Sequence, residues 1–273
     1  MTKTELKKTL VKIKKFLKQR DYDAIDTGIE LARGLNEPAV FEALLGGWSI
    51  NDEGKLVLEE GYQGETLTKR WSNESWQYFA YALVNLIAYA PKNTKVDKSL
   101  KRLNIKLLSF SICDPTLWYQ SREGFGTLNS DKLPSGLPNF TNLNSLDLSG
   151  YKYLKNVDGL ANLTKLTSLD LSYCDSFQNA DGLANLPNLT SLDLGSCDSL
   201  QNVDGLANLT NLTSLDLSYC DSLQNVDGLA NLTKLTSLNL EYSDEVQPKP
   251  SIGKMTTREE VAAYQEEIQK SMK

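Results

Sequence analysis

The chain of 273 residues contains no histidine. That absence removes the commonest general acid/base and the commonest metal ligand together, so histidine-dependent triads and zinc sites with histidine ligands are excluded. Long hydrophobic runs are missing too. Nothing approaches about 18 consecutive apolar residues, and the lysine-studded N-terminus holds no apolar stretch of signal-peptide length. A cytoplasmic location is therefore expected. Cysteine is scarce, with four in all, and Cys174, Cys197 and Cys220 stand 23 residues apart, each opening a Cys-Asp-Ser triplet. Such spacing marks repeat positions rather than a disulfide framework or an all-cysteine zinc knuckle. No metal and no cofactor is expected.

What is present is an ordinary globular composition, 40% hydrophobic and 23% charged, in a chain long enough to bury a sizeable core. The net charge of −6 is unevenly spread: residues 143 to 250 hold 14 Asp/Glu against 5 Lys, whereas residues 1 to 20 hold 8 Lys/Arg against Glu5 alone. The acidic part repels nucleic acid and anionic membranes, so neither is expected as a partner. The basic first segment reads as the solvated face of an amphipathic helix.

The acidic part is also periodic. Leu143, Leu166, Leu189, Leu212 and Leu235 are each 23 apart, and the same step links Leu146, Leu169, Leu192, Leu215 and Leu238. A fixed period of this length means a solenoid, whose long exposed surfaces suit binding rather than catalysis. Residues 212 to 234 give the unit, LTSLDLSYCDSLQNVDGLANLTK. Its Leu-x-x-Leu-x-Leu core has the strand period of two, which sends Leu215 and Leu217 inward and Ser214, Asp216 and Ser218 outward. The return half, Val226 to Leu232, offers Asp227 as an N-cap for a short helical turn.

This pattern resembles the leucine-rich repeat family, closest to the short bacterial class to which internalins belong, over roughly half the chain. The resemblance implies an α/β fold: a right-handed solenoid with a parallel strand ladder on its concave face and a habit of binding. It also implies that the position after the strand bonds to backbone inside the loop. Here that position is Cys174, Cys197 and Cys220 rather than the family's usual Asn, and a cysteine is expected to act partly as a small buried apolar group.

Extending the period outward predicts a sixth, disguised strand at Ile105, Leu108 and Phe110, with Cys113-Asp114 where later Cys-Asp pairs fall. The next strand starts 38 residues on, so 15 extra residues lie within 114–136, among them Trp118, Tyr119 and Phe125. The expected organisation is an α-helical domain or cap over 1–104, a solenoid over 105–247, and a linker with a capping helix over 248–273. Thr4 is expected to cap the first helix, with Leu6, Leu10, Ile13 and Leu17 on one face, and Thr256 with Glu259 to form the capping box of the last, with Val261, Tyr264, Ile268 and Met272 as its stripe.

The candidate binding residues are of three kinds. Asp147, Asp170, Asp193, Asp216 and Asn239 form an outward ladder, where carboxylates about 4.8 Å apart raise one another's proton affinity and favour a cationic partner. Tyr173, Tyr219 and Tyr242 follow the strands at one edge, with Gly150 and Ser196 in the same position elsewhere; tyrosine is enriched at interface hot spots. Trp118, Tyr119 and Phe125 occupy the insertion. For each the alternative is solubilising or packing chemistry copied with the repeat. Adjacent carboxylates also approach the roughly 5 Å separation of retaining glycosidases, but a row repeating one exposed setting lacks the divergent pKa values that catalysis needs.

The expected function is a monomeric, non-enzymatic interaction module that binds a protein or basic peptide through the acidic concave face and the aromatic insertion. The alternatives are a surface or carbohydrate-binding adhesin, or an immunity or effector protein acting by binding. Six strands about 30 Å across and 17 Å wide present about 500 Å², below the roughly 800 Å² per partner of a standard interface. The insertion or the helical domain is thus expected to contribute contact area, or else binding is expected to be weak.

Overall fold

The computed structural model describes residues 1–19, 21–46, 48–50, 56–58, 76–95 and 133–273. The chain divides into two compact units, Met1–Gly126 with Pro134–Phe140, and Thr127–Leu133 with Thr141–Lys273.

In the first unit, α1 (Lys3–Leu17) starts at Thr2 rather than Thr4: the Thr2 side chain accepts from the Glu5 N–H while Glu5 reaches back to the Thr2 backbone. It buries Leu10, Ile13 and Leu17 and leaves its lysines outside. Asp21 caps α2 (Tyr22–Leu35), which ends at the left-handed Asn36, and Pro38 opens α3 (Pro38–Leu45). A proline at the first helical turn gives up only an N–H that would have no partner there. Strands β1 (Trp48–Ile50) and β2 (Leu56–Leu58) pair antiparallel. Helix α4 (Trp76–Tyr89) is buried on every side from Tyr81 to Leu86, as its all-round apolarity predicts. Within it Asn85 carries a fully buried amide, which accepts the Gly136 N–H at 2.6 Å and donates to the Tyr81 carbonyl at 3.1 Å.

The second unit is the solenoid. Strands β3 (Ser145–Asp147), β4 (Ser168–Asp170), β5 (Ser191–Asp193), β6 (Ser214–Asp216) and β7 (Ser237–Asn239) pair in parallel, each residue opposite its counterpart one repeat away. The regular strands are three residues long, shorter than the sequence suggests. Flanking bonds such as Thr190 N–H to Thr167 C=O extend the ladder. The return halves form 3-10 turns, at Asp158–Leu160, Asp181–Asn185, Asp204–Leu206 and Asp227–Leu229. The Asp of each turn does not cap it. Asn156, Asn179, Asn202 and Asn225 do so instead, each accepting the N–H of the Asp two residues on.

The core is a set of stacked columns. Leu143, Leu146, Leu148, Leu154, Leu160 and Leu163 begin columns buried through every copy. In one repeat Phe177 replaces the usual Leu and Ala180 the usual Val, both fully buried. A large-for-medium change next to a small-for-medium one keeps the volume, which packed cores tolerate best. Successive turns lie so close that a Cβ on Gly205 would overlap the Ala180 carbonyl.

The C-terminal end of the solenoid is closed. Strand β8 (Lys254–Met255) pairs antiparallel with β7, and α5 (Arg258–Ser271) buries Val261, Tyr264, Gln265 and Ile268. Its capping box is Thr257 with Glu260, one residue later than expected, and Met272 is exposed. Gln265 donates to the carbonyls of Leu229 at 2.7 Å and Leu232 at 3.1 Å, groups that a further repeat would otherwise cover. The expected strand at Ile105, Leu108 and Phe110 lies outside the described residues.

Candidate binding face

The ladder of carboxylates forms, and each member is held by its own turn. Oδ1 of Asp147, Asp170, Asp193 and Asp216 accepts the backbone N–H two residues on, at 3.0, 2.9, 2.9 and 2.8 Å. Ser149, Ser172 and Ser218 add their hydroxyls to the same oxygens at 2.7, 2.7 and 2.6 Å. The residue that leaves the strand is thus a local turn-former as well as a surface charge. Asn239 plays the same part for the Glu241 N–H and donates to Oδ2 of Asp216 at 2.9 Å. Among the described residues, Oδ2 of Asp147, Asp170 and Asp193 has no hydrogen-bond partner, and these oxygens are the ladder's free acceptors.

The members are not equivalent, contrary to the uniform exposed setting expected from the repeat. They are partly buried. Burial raises the Asp170 pKa against the opposing hydrogen bonds of Ser172, with the Asp147 charge adding to the rise. Asp193 goes further, to about 6, because burial is opposed only by the Gly195 N–H and carboxylates flank it on both sides. Its difference comes from Gly195, which stands where neighbouring repeats have a serine hydroxyl. Sequence reading passed over Gly195, although a glycine replacing serine in a near-perfect repeat is a visible signal.

The tyrosine positions share one unusual backbone state. Tyr173, Ser196, Tyr219 and Tyr242 have φ of 59°, 59°, 57° and 62°, and Gly150 has 74°. This left-handed region favours glycine and costs an L-residue roughly 1–2 kcal/mol. The strand-to-turn hydrogen bonds impose it: the N–H of Tyr173, Ser196 and Tyr219 donates to the carbonyl of Gly195, Ser218 and Glu241 at 2.8, 2.8 and 2.9 Å. The three tyrosine rings are at least half exposed, and Tyr219 stacks on Tyr242 with centroids 4.5 Å apart and planes 17° apart.

The cysteines lie behind this face. The thiols of Cys174, Cys197 and Cys220 donate to the carbonyls of Leu148, Leu171 and Leu194 at 3.4, 3.2 and 3.2 Å. All three are fully buried and free, and burial pushes each thiol pKa up, that of Cys220 to about 12. A second acidic column, Asp175, Asp198, Asp221 and Asp244, follows them; Lys152 pairs with Asp175 at 3.1 Å, and burial with the flanking Asp175 and Asp221 charges raises the Asp198 pKa. Trp118, Tyr119 and Phe125 lie outside the described residues.

Residues 157–226 match the family model of Zer-1-like leucine-rich repeats. The solenoid is a leucine-rich-repeat domain. It is similar to internalin C2 of Listeria monocytogenes, with 31% identity over 38% of this chain and 54% of that one and a TM-score of 0.30. A leucine-rich-repeat protein of Leptospira interrogans gives 20% identity over 44% of this chain and 40% of that one, with a TM-score of 0.34. The chain therefore spans about half or less of the length of these two proteins. No curated protein matches it. Leucine-rich-repeat domains are as a class protein-interaction modules. Among the described residues no helix is long and apolar enough to cross a membrane, and no group of three or more Cys, Asp or Glu is placed to hold a metal ion.

Proposed function

We propose that this leucine-rich-repeat domain binds a cationic protein or basic peptide through its concave face, acting as a monomer in the cytoplasm and without catalysis. The observation that carries the reading is the ladder itself. Asp147, Asp170 and Asp193 each spend one carboxylate oxygen on their own turn, so their free oxygens are oriented before a partner arrives, while Asp216 spends its second oxygen on Asn239. Preorganised charge avoids the cost of ordering side chains at the moment of binding.

The tyrosine edge supplies apolar contact beside the charges. Tyr173, Tyr219 and Tyr242 combine a rigid ring with a polar tip, the chemistry that interface hot spots favour. In this reading the insertion with Trp118, Tyr119 and Phe125, or else the helical part over 1–104, adds contact to a strand area that is too small alone.

The test is the combined Asp170→Asn, Asp193→Asn, Asp216→Asn protein. Asparagine keeps the Oδ1 acceptor, as Asn239 does, and replaces the charged Oδ2 with a neutral amide NH2. Recovery of a basic partner from lysate of the native host is expected to fall sharply. Unchanged recovery from a folded variant removes the ladder from the binding face.

A further inference from the structure

The left-handed position after each strand reads Gly150, Tyr173, Ser196, Tyr219 and Tyr242 along the solenoid. Only at the last two of these do neighbouring repeats both carry a ring. The repeat holds that pair in register. Tyr219 and Tyr242 share nearly the same φ, 57° and 62°, so their side chains leave successive turns in the same direction. The Tyr219 N–H donates to the Glu241 carbonyl at 2.9 Å, which fixes the two turns against each other one residue before Tyr242. The rings then lie 4.5 Å apart and within 17° of parallel, and both are half exposed or more. Partial loss of solvent raises the Tyr219 phenol pKa and the Tyr242 phenol raises it further, so the two oxygens are neighbours as well as the ring centres.

A second tyrosine pair shows what this geometry adds. Tyr22 and Tyr81 have centroids 4.9 Å apart but meet edge to face at 69°. Tyr81 is buried, and its hydroxyl donates to Asp26 at 2.8 Å. That arrangement serves a core, and it shelters the ring from anything dissolved. Tyr219 and Tyr242 are open to solvent instead, face to face, with their hydroxyls on the same side.

We propose that Tyr219 and Tyr242 are a site of oxidative modification, at which a one-electron oxidant of the peroxidase class joins them by a carbon–carbon bond between the ring positions next to their hydroxyls. Each phenol gives one electron to the oxidant and its hydroxyl proton to water, which leaves two phenoxyl radicals. Their unpaired electrons, shared with the ring carbons beside the oxygen, pair to form the new bond. The hydrogens on the bonded carbons then move to the oxygens through water and restore both phenols. With hydrogen peroxide as the terminal oxidant, two tyrosines and one peroxide give one dityrosine and two waters. Proximity favours this pair: a tethered neighbour has an effective concentration of at least about 1 mM, roughly 100-fold above a second molecule present at about 10 µM. The bond closes a loop over the last repeat and constrains the unfolded chain as a disulfide would. It is independent of the acidic-face reading and needs no partner protein.

The full chain is treated with a haem peroxidase and limiting hydrogen peroxide, with N-acetyltyrosine amide oxidised in parallel as the reagent control. Dityrosine fluorescence is expected in protein of monomer size, and tryptic fragments are expected to be joined at Tyr219 and Tyr242 with the loss of two hydrogens. The yield per molecule is expected to hold on about tenfold dilution, because the coupling is internal. Tyr219→Phe and Tyr242→Phe, which keep the ring packing, are each expected to cut the monomer signal at least about fivefold, while the exposed Tyr153→Phe leaves it within about twofold. Four results overturn the site: crosslinks found only in dimers, crosslinks that join other tyrosines in preference to this pair, a monomer signal that both Phe variants keep, or no coupling in the protein while the control couples.

Discussion

Ser243 occupies the cysteine position of the last repeat, accepting the Cys220 N–H at 2.9 Å while its hydroxyl donates to the Leu217 carbonyl at 2.7 Å. The cysteine column is therefore a hydrogen-bonding device that a hydroxyl can perform. Cys197→Ser is expected to leave stability within about 1 kcal/mol, whereas Cys197→Ala strands the Leu171 carbonyl and costs about 1–3 kcal/mol. Urea unfolding of the two variants makes the comparison. Native Cys174, Cys197 and Cys220 are expected to resist a thiol reagent until the chain unfolds, because burial holds them as neutral thiols.

Asp193 ties stability to pH. Its folded pKa of about 6 lies above the ordinary carboxylate value of about 3.9. Between these values the folded state holds the proton more tightly than the unfolded one, so the contribution is fully present below about pH 4 and lost as pH rises through about 6. Asp193→Asn is expected to be more stable than wild type at pH 7, by about 1 kcal/mol after solvent screening, and to lose that advantage near pH 4. Urea midpoints of both proteins at pH 4 and pH 7 measure this. A difference independent of pH contradicts the assignment.

Gln265 holds the C-terminal end. Replacing it with Leu keeps the bulk but removes its two hydrogen bonds to the Leu229 and Leu232 carbonyls, which retain the Leu232 and Leu235 N–H as donors, at a cost of about 1–2 kcal/mol. Hydrogen exchange is expected to quicken first in the last strand, around Leu238. Uniform protection in Gln265→Leu would mean that α5 packs on the solenoid without closing it.

The tyrosine edge separates contact from scaffold. Tyr219→Gly relieves the left-handed φ of 57°, a gain of about 1–2 kcal/mol that glycine's extra freedom in the unfolded chain and the lost Tyr242 stack largely offset. Stability is expected to change by less than about 1 kcal/mol while partner binding weakens. A large loss of stability with binding intact would make the rings structural.

Much of this was legible in the sequence because a 23-residue period reports the same environment several times over. The inward leucines, the cysteine column, the outward Asp ladder and the closing helix α5 all followed from it. The two helix starts were misplaced by one or two residues because Thr2-Lys-Thr-Glu5 and Thr256-Thr-Arg-Glu-Glu260 each offer two threonines. Backbone geometry chooses between them, with Glu260 accepting both the Thr256 and the Thr257 N–H. Asp227 looked like a cap, yet Asn225 does that work, since a 3-10 turn brings the earlier side chain to the free N–H. Strand β8 left no periodic trace. The left-handed tyrosines carried a faint signal in Gly150 alone, and the special setting of Asp193 followed from a glycine that adds nothing of its own.

The central claim is that charge on the concave face recruits a basic partner. Quantitative pull-down from native host lysate, comparing wild type with Asp170→Asn, Asp193→Asn, Asp216→Asn at matched folded concentration and at two salt concentrations, tests it most directly. At least one basic protein is expected with wild type at low salt, about tenfold depleted with the variant and depleted again from wild type at high salt. Identical recovery by both proteins at both salt concentrations contradicts the account.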